Sequence, residues 1–308
     1  MRVMVTRPAR EAQAWVQQLQ ASGFDANSLP LIEIAGPVDA HSVVQAWRRL
    51  PEFDAAMFVS GNAVDHFFAL KPAETPVYSA QAAIKTRALV TGPGSYAALQ
   101  RAGVAASLID APDAHQGQFD SEALWAVMGH RVVPGYRVLV VRGTTVAQHG
   151  EPGADVGVGR DWFSKRVIAA GGQVEFVVAY QRRCPEPTPA VQAGIQTAVN
   201  DKAVWLFSSS EAVAHLRALV PDQDWHDQRA VCTHTRIALA ASAAGFGVVC
   251  ESRPILAAVV ASIESLQCLL TLLLPQLMRR IALTGAGCAA LPWWPSWVLS
   301  DALRYGKN

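Results

Sequence analysis

The sequence predicts an α/β fold made of two similar lobes, each a parallel sheet flanked by helices. Three observations carry that reading. Short apolar runs alternate with helix-like stretches along most of the chain. Hydrophobic residues make up 51% against 17% charged, a balance suited to sheets covered on both faces. Three segments occur twice, in a different chain order each time.

Arg2–Thr6 is apolar and β-prone, Arg10–Gln20 has helical character, and Gly23 stops it. Ser28–Ile34 reads as extended. Further strands are expected at Ala55–Ser60, Arg87–Thr91, Arg137–Val141, Gln173–Tyr180, Ala203–Phe207, Arg229–Thr233 and Gly247–Glu251. Several of these precede a helix-like stretch, as strands of a parallel sheet do.

The repeats set the domain plan. Phe58–Val64 resembles Phe207–Val213, with His66 opposite His215. Arg87–Thr91 resembles Arg229–Thr233, with Gly103 opposite Gly245, and Arg2–Arg7 resembles Arg137–Arg142. One lobe is therefore expected to be discontinuous, 1–33 plus 184–266, with the other, 37–178, inserted into it. The crossings fall at Pro30–Val38 and Tyr180–Pro189, proline-bearing segments that suit a semi-rigid hinge. Paired hinges imply a ligand cleft between the lobes.

The net charge of +1 advertises no nucleic acid and no anionic membrane. The five cysteines, 184, 232, 250, 268 and 288, form no CxxC and no zinc-like cluster, so they read as small hydrophobes in a reducing, cytoplasmic setting. The amino terminus lacks the apolar core of a secretion signal. The tail, 267–308, reads as an appended segment. Its alternative is an interfacial membrane contact through Trp293, Trp294 and Trp297 beside Arg279 and Arg280.

Gly92-Pro93-Gly94-Ser95-Tyr96-Ala97 follows a strand and precedes a helix, with Asp110 further on, which is the spacing of a dinucleotide site. Pro93 removes an N–H from that turn, and the matching copy, Thr233–Ala238, has no glycines. The common feature is a helix N-terminus, which suits any anion. The turns Ser60-Gly61-Asn62 and Ser208-Ser209-Ser210 are either plain helix caps or donors to carboxylates. Arg7 and Arg142, at matching strand ends, would complete a polyanion receptor. The eight histidines show no catalytic spacing. Tyr180, at a lobe crossing, is either a packed aromatic or a phenol pointed into the cleft.

The order Val5-Thr6-Arg7-Pro8, Leu29–Ile34, Phe58–Val64, Val90–Gly94, Val140–Gly143, Val178–Arg183 and Leu206–Ser210 resembles the uroporphyrinogen-III synthase family, over Met1 to Leu266. The resemblance implies two α/β lobes joined by a two-strand linker. It also implies cyclisation of the linear tetrapyrrole hydroxymethylbilane, with inversion of the last pyrrole ring and loss of water, in haem biosynthesis. No metal or organic cofactor is implied. Tyr180 is the candidate catalytic residue, and Ser60, Gly61, Asn62, Gly92, Ser95, Ser208, Ser209 and Ser210, with Arg7 and Arg142, are candidate substrate contacts. The Thr233–Arg236 turn departs from the Gly-Pro pair of many members. A monomer with a functional link to hydroxymethylbilane synthase is expected. Two other readings stand beside it: an NAD(P)-dependent oxidoreductase using Gly92–Ala97, and a two-lobed binding protein for a small anion.

Overall fold

The computed structural model describes residues 1–74, 85–113, 119–145 and 158–267, with side chains of the last span from 162 onward. The tail reading, apart from its first residue, lies outside these residues. Contacts divide the chain into two units, Met1–Glu33 with Cys184–Asn308, and Ile34–Arg183.

The first unit opens with β1 (Arg2–Val5), α1 (Ala9–Ala21) and β2 (Asp25–Ser28). It resumes with α7 (Pro189–Asn200), β9 (Val204–Phe207), α8 (Ser210–Leu219), β10 (Arg229–Cys232), α9 (Thr235–Ala243) and β11 (Val248–Glu251), and helical residues 256–267 follow. Its sheet is parallel, in the order β11-β10-β9-β1-β2. Helix α1 buries Ala12 and Leu19, two turns apart on one stripe, and Val259, Ile263 and Leu266 join them over Val3, Val5, Val204 and Leu206. On these facts the sheet is covered, as its apolar strands require.

The second unit runs β3 (Glu33–Ala35), α2 (Ala40–Arg48), β4 (Ala55–Phe58), α3 (Gly61–Ala69), β5 (Arg87–Leu89), α4 (Pro93–Arg101), β6 (Ile109–Asp110), α5 (Ser121–Met128), β7 (Arg137–Thr145), α6 (Val158–Ala169) and β8 (Gln173–Arg183). Its sheet order is β3-β8-β7-β4-β5-β6. Strand β4 shows why both faces are covered. Ala56 and Phe58 enter one core with Trp47 and Phe67, while Ala55 and Met57 enter the opposite one with Leu124 and Phe163.

The repeated segments take the same places in the two sheets. In β1–β9 Val5 lies opposite Leu206, and in β7–β4 the matching pair is Val140 opposite Met57. Each unit is the same winding entered at a different strand. Even the helix stops agree: Gly103 after α4 and Gly245 after α9 have φ of +86° and +100°, a conformation glycine adopts without strain.

One expected strand is corrected. Ser28–Ile34 is not a single extended run, because β2 ends at Ser28 and β3 begins at Glu33. Pro30 has no N–H to give a ladder, and the Leu29 and Leu31 amides instead donate to the Val5 and Thr6 carbonyls at 3.0 and 3.3 Å. Strand β6, only two residues long, has no counterpart among the expected strands.

Candidate active site

In a doubly wound sheet the natural ligand position lies outside the carboxyl ends of the strands, where the winding reverses. That point falls between β1 and β9 in the first unit and between β7 and β4 in the second. The candidate residues gather at these ends, unit by unit.

In the first unit β1 runs into Thr6 and Arg7. The Thr6 hydroxyl donates to the Leu206 carbonyl at 2.8 Å, pinning the ends of β1 and β9 together. The Arg7 guanidinium lies 4.8 Å from the Trp15 ring centre and 3.6 Å from a Glu11 carboxylate oxygen. Burial, only partly offset by Glu11, lowers its pKa from the ordinary arginine value, and its Nε has no hydrogen-bond partner among the described residues. Ser208 follows β9, Ser209 caps α8 by accepting from the Glu211 amide at 3.2 Å, and the Ser210 hydroxyl is buried without a partner among the described residues. Helix α9 is capped by His234, whose Nδ1 accepts from the Arg236 amide at 3.1 Å.

The second unit repeats the pattern. Arg142 sits in β7 with its guanidinium 4.7 Å from the Phe176 ring centre and its Nε buried and unpartnered among the described residues. Ser60 caps α3, accepting from the Ala63 amide at 3.1 Å. Gly61 and half-buried Asn62 form the first turn of α3. A Cβ at Gly61 would sit in ordinary contact with the Gly94 carbonyl at 3.7 Å, which shows that the first turns of α3 and α4 lie side by side. Gly92 is the N-cap of α4 and Ser95 is buried in its first turn. Tyr180 is 3% exposed, with its hydroxyl 3.1 Å from Ser60 Oγ. The His66 ring stacks on Tyr180 at 5.8 Å between centres, and its pKa is lowered by burial against a smaller opposing effect of Asp65.

Sequence reasoning missed Gly143, Trp15 and Phe176. Trp15 reaches Arg7 from helix α1, and Phe176 reaches Arg142 across the β7–β8 pair, a proximity that only the register reveals. The dinucleotide alternative loses its ribose acceptor. The Asp110 carboxylate is held by Arg87 at 2.8 Å and by Arg131 at 2.6 Å. Cys232 is buried, which pushes its thiol up to about 12, far from reactive. Among the described residues no group of three His, Cys, Asp or Glu side chains is placed to hold a metal ion, and no helix is long and apolar enough to cross a membrane.

Each unit thus carries helix N-termini and a half-buried arginine at its switch point, and the chain is a repeat-built α/β protein with parallel sheets flanked by helices. The family model HEM4, described as Uroporphyrinogen-III synthase HemD, matches residues 13–261. The chain belongs to the uroporphyrinogen-III synthase family. Among solved structures, a mutant uroporphyrinogen III synthase from the extremely thermophilic bacterium Thermus thermophilus is 16% identical, covering 88% of this chain and 99% of its own, with a TM-score of 0.45. The uroporphyrinogen-III synthetase of Helicobacter pylori is 17% identical, covering 86% of this chain and 100% of its own, with a TM-score of 0.49. No curated protein matches at the same stringency.

Proposed function

We propose that this chain is a lyase that closes hydroxymethylbilane to uroporphyrinogen III without an added cofactor. The observation that carries the reading is the family match across residues 13–261. The site chemistry supports it. The substrate bears an acetate and a propionate on each pyrrole, so it needs many N–H and O–H donors and a few cations rather than one strong base. Helix starts at Ser60, Gly92 and Ser209, with Arg7 and Arg142, are of that kind.

The reaction places its own demands. Hydroxide leaves the terminal hydroxymethyl carbon with the C–O electron pair, pushed out by the electron-rich pyrrole, and becomes water on gaining a proton. The azafulvenium cation that remains is attacked by the last ring. Without guidance the ring's free carbon attacks and the uninverted isomer forms. Attack through the substituted carbon gives a spiro centre instead. The older bond from that carbon to its neighbouring methylene then breaks, the released methylene cation re-attaches at the ring's free carbon, and that carbon loses its proton to give the inverted product. The protein's contribution is therefore mainly orientation and charge stabilisation. The Ser60–Tyr180 pair adds hydroxyls for holding the substrate in place. We place the protein in the cytoplasm as a monomer, receiving an unstable substrate from hydroxymethylbilane synthase.

Titration with uroporphyrin and with NADH tests this reading. Micromolar binding of the tetrapyrrole and none of NADH is expected. Retained dinucleotide would favour the oxidoreductase, and tetrapyrrole binding with no turnover of hydroxymethylbilane would leave an anion-binding protein.

A further inference from the structure

We propose that Tyr180 and Gly143 are positioning residues that hold the Ser60 hydroxyl as a hydrogen-bond donor to a substrate carboxylate. The inference rests on the tetrapyrrole reading above and deepens it. Three features of the second unit lead to it.

The first is the seat of the ring. The β7–β8 register slips between Arg142 and Gly143: Arg142 lies opposite Val178, but Gly143 lies opposite Tyr180. The extra residue is a bulge, which re-aims the side chain that follows it. The tyrosine ring rests directly on Gly143, where an added Cβ would fall 2.6 Å from Cε2 and 2.7 Å from Cε1. Only glycine admits the ring there.

The second is the hydrogen-bond count. Among the described residues Ser60 Oγ is the one partner of the Tyr180 hydroxyl, and the phenol is buried. Were Ser60 the donor, the phenol proton would have no acceptor among the described residues, and a buried unsatisfied donor is costly. Tyr180 therefore donates. Ser60 Oγ then accepts twice, from Tyr180 at 3.1 Å and from the Ala63 amide at 3.1 Å. A serine hydroxyl has two acceptor sites and one proton. Both acceptor sites are filled, so its proton points away from both donors.

The third is the place of Ser60. It is half-buried rather than closed off, at the start of α3, where the helix dipole also favours an anion. A hydroxyl locked as a donor there suits a carboxylate and disfavours a cation or another donor.

The test is a double-mutant cycle of Tyr180→Phe and Ser60→Ala, read as KM and kcat for hydroxymethylbilane and as affinity for uroporphyrin. Each single change is expected to raise KM and weaken uroporphyrin binding about tenfold, with kcat held within about twofold. The double variant is expected to be no worse than Ser60→Ala alone. Ser60→Thr, which keeps the hydroxyl, should restore binding, and Gly143→Ala, if it folds, should reproduce Tyr180→Phe. A fall in kcat at constant KM for Tyr180→Phe would make the phenol an acid and overturn the inference, as would losses that multiply in the double variant. A wild-type chain that binds uroporphyrin but turns nothing over would sink the functional reading instead, and the cycle would still be decided on uroporphyrin affinity.

Discussion

Arg142→Met separates a binding role from a structural one, because the folded protein asks little of that guanidinium. Among the described residues it makes no hydrogen bond or ion pair, and its one recorded contact is the Phe176 ring at 4.7 Å. Phe176 is 49% exposed, so that contact is worth about 0.5–1 kcal/mol. Its buried, unpartnered Nε carries a cost of about 1–3 kcal/mol, which the substitution removes. Methionine keeps an apolar stem over Phe176. Folding stability is thus expected to change by no more than about 2 kcal/mol, with the sign towards stabilisation, a Tm shift of at most about 8 °C. Binding should respond much more. A hydrogen bond from a cation to a carboxylate is worth about 1.5–3 kcal/mol, which corresponds to a KM rise of about 10- to 150-fold. The assay pairs a melting curve with steady-state kinetics on hydroxymethylbilane generated in the cuvette. A variant with unchanged KM, or one that loses several kcal/mol of stability, would refute the assignment of Arg142 to substrate.

Three further substitutions probe the frame around the site. Asp110→Asn should cost about 2–4 kcal/mol at neutral pH, since it leaves Arg87 and Arg131 without their shared anion, while KM stays as it was. Burial raises the Asp110 pKa but hydrogen bonds from Arg87 and Arg131 more than offset this, holding it below 3.8; its contribution is full above pH 3.8 and is lost as pH falls through the lower folded value, so acid melts of the two proteins should converge there. His215→Ala should lower stability by about 2–3 kcal/mol without changing isomer ratio, because the buried ring meets the Leu31 carbonyl at 2.6 Å and is spent on that structural contact. A chain ending at Leu266 keeps Val259, Ile263 and Leu266 in the first unit's core, and is expected to melt and turn over as the full chain does.

Much of the fold was legible because buried parallel strands advertise themselves. Ala55–Phe58 and Val204–Phe207 are apolar at every position and buried at every position. Strand β2 was not legible. Asp25-Ala26-Asn27-Ser28 has almost no β-propensity, and its place comes from pairing at the sheet edge with only Ala26 buried. At the site, residue types and strand-end positions could be read from the repeats, so Arg7 and Arg142 could be matched. Partnerships could not. Ser60 and Tyr180 are 120 residues apart, and their contact depends on a bulge that no local pattern announces. Asp110 shows the reverse error: the spacing after Gly92 offered it to a ribose, whereas tertiary structure commits it to two arginines.

The most direct test of the whole account is product identity. The purified chain is incubated with hydroxymethylbilane made in place by hydroxymethylbilane synthase, in the presence of a chelator and with no added cofactor. The products are oxidised to porphyrins and the isomers separated by chromatography. The account predicts the type III isomer in large excess, formed faster than spontaneous closure. Type I alone, at the rate seen without the protein, would contradict it.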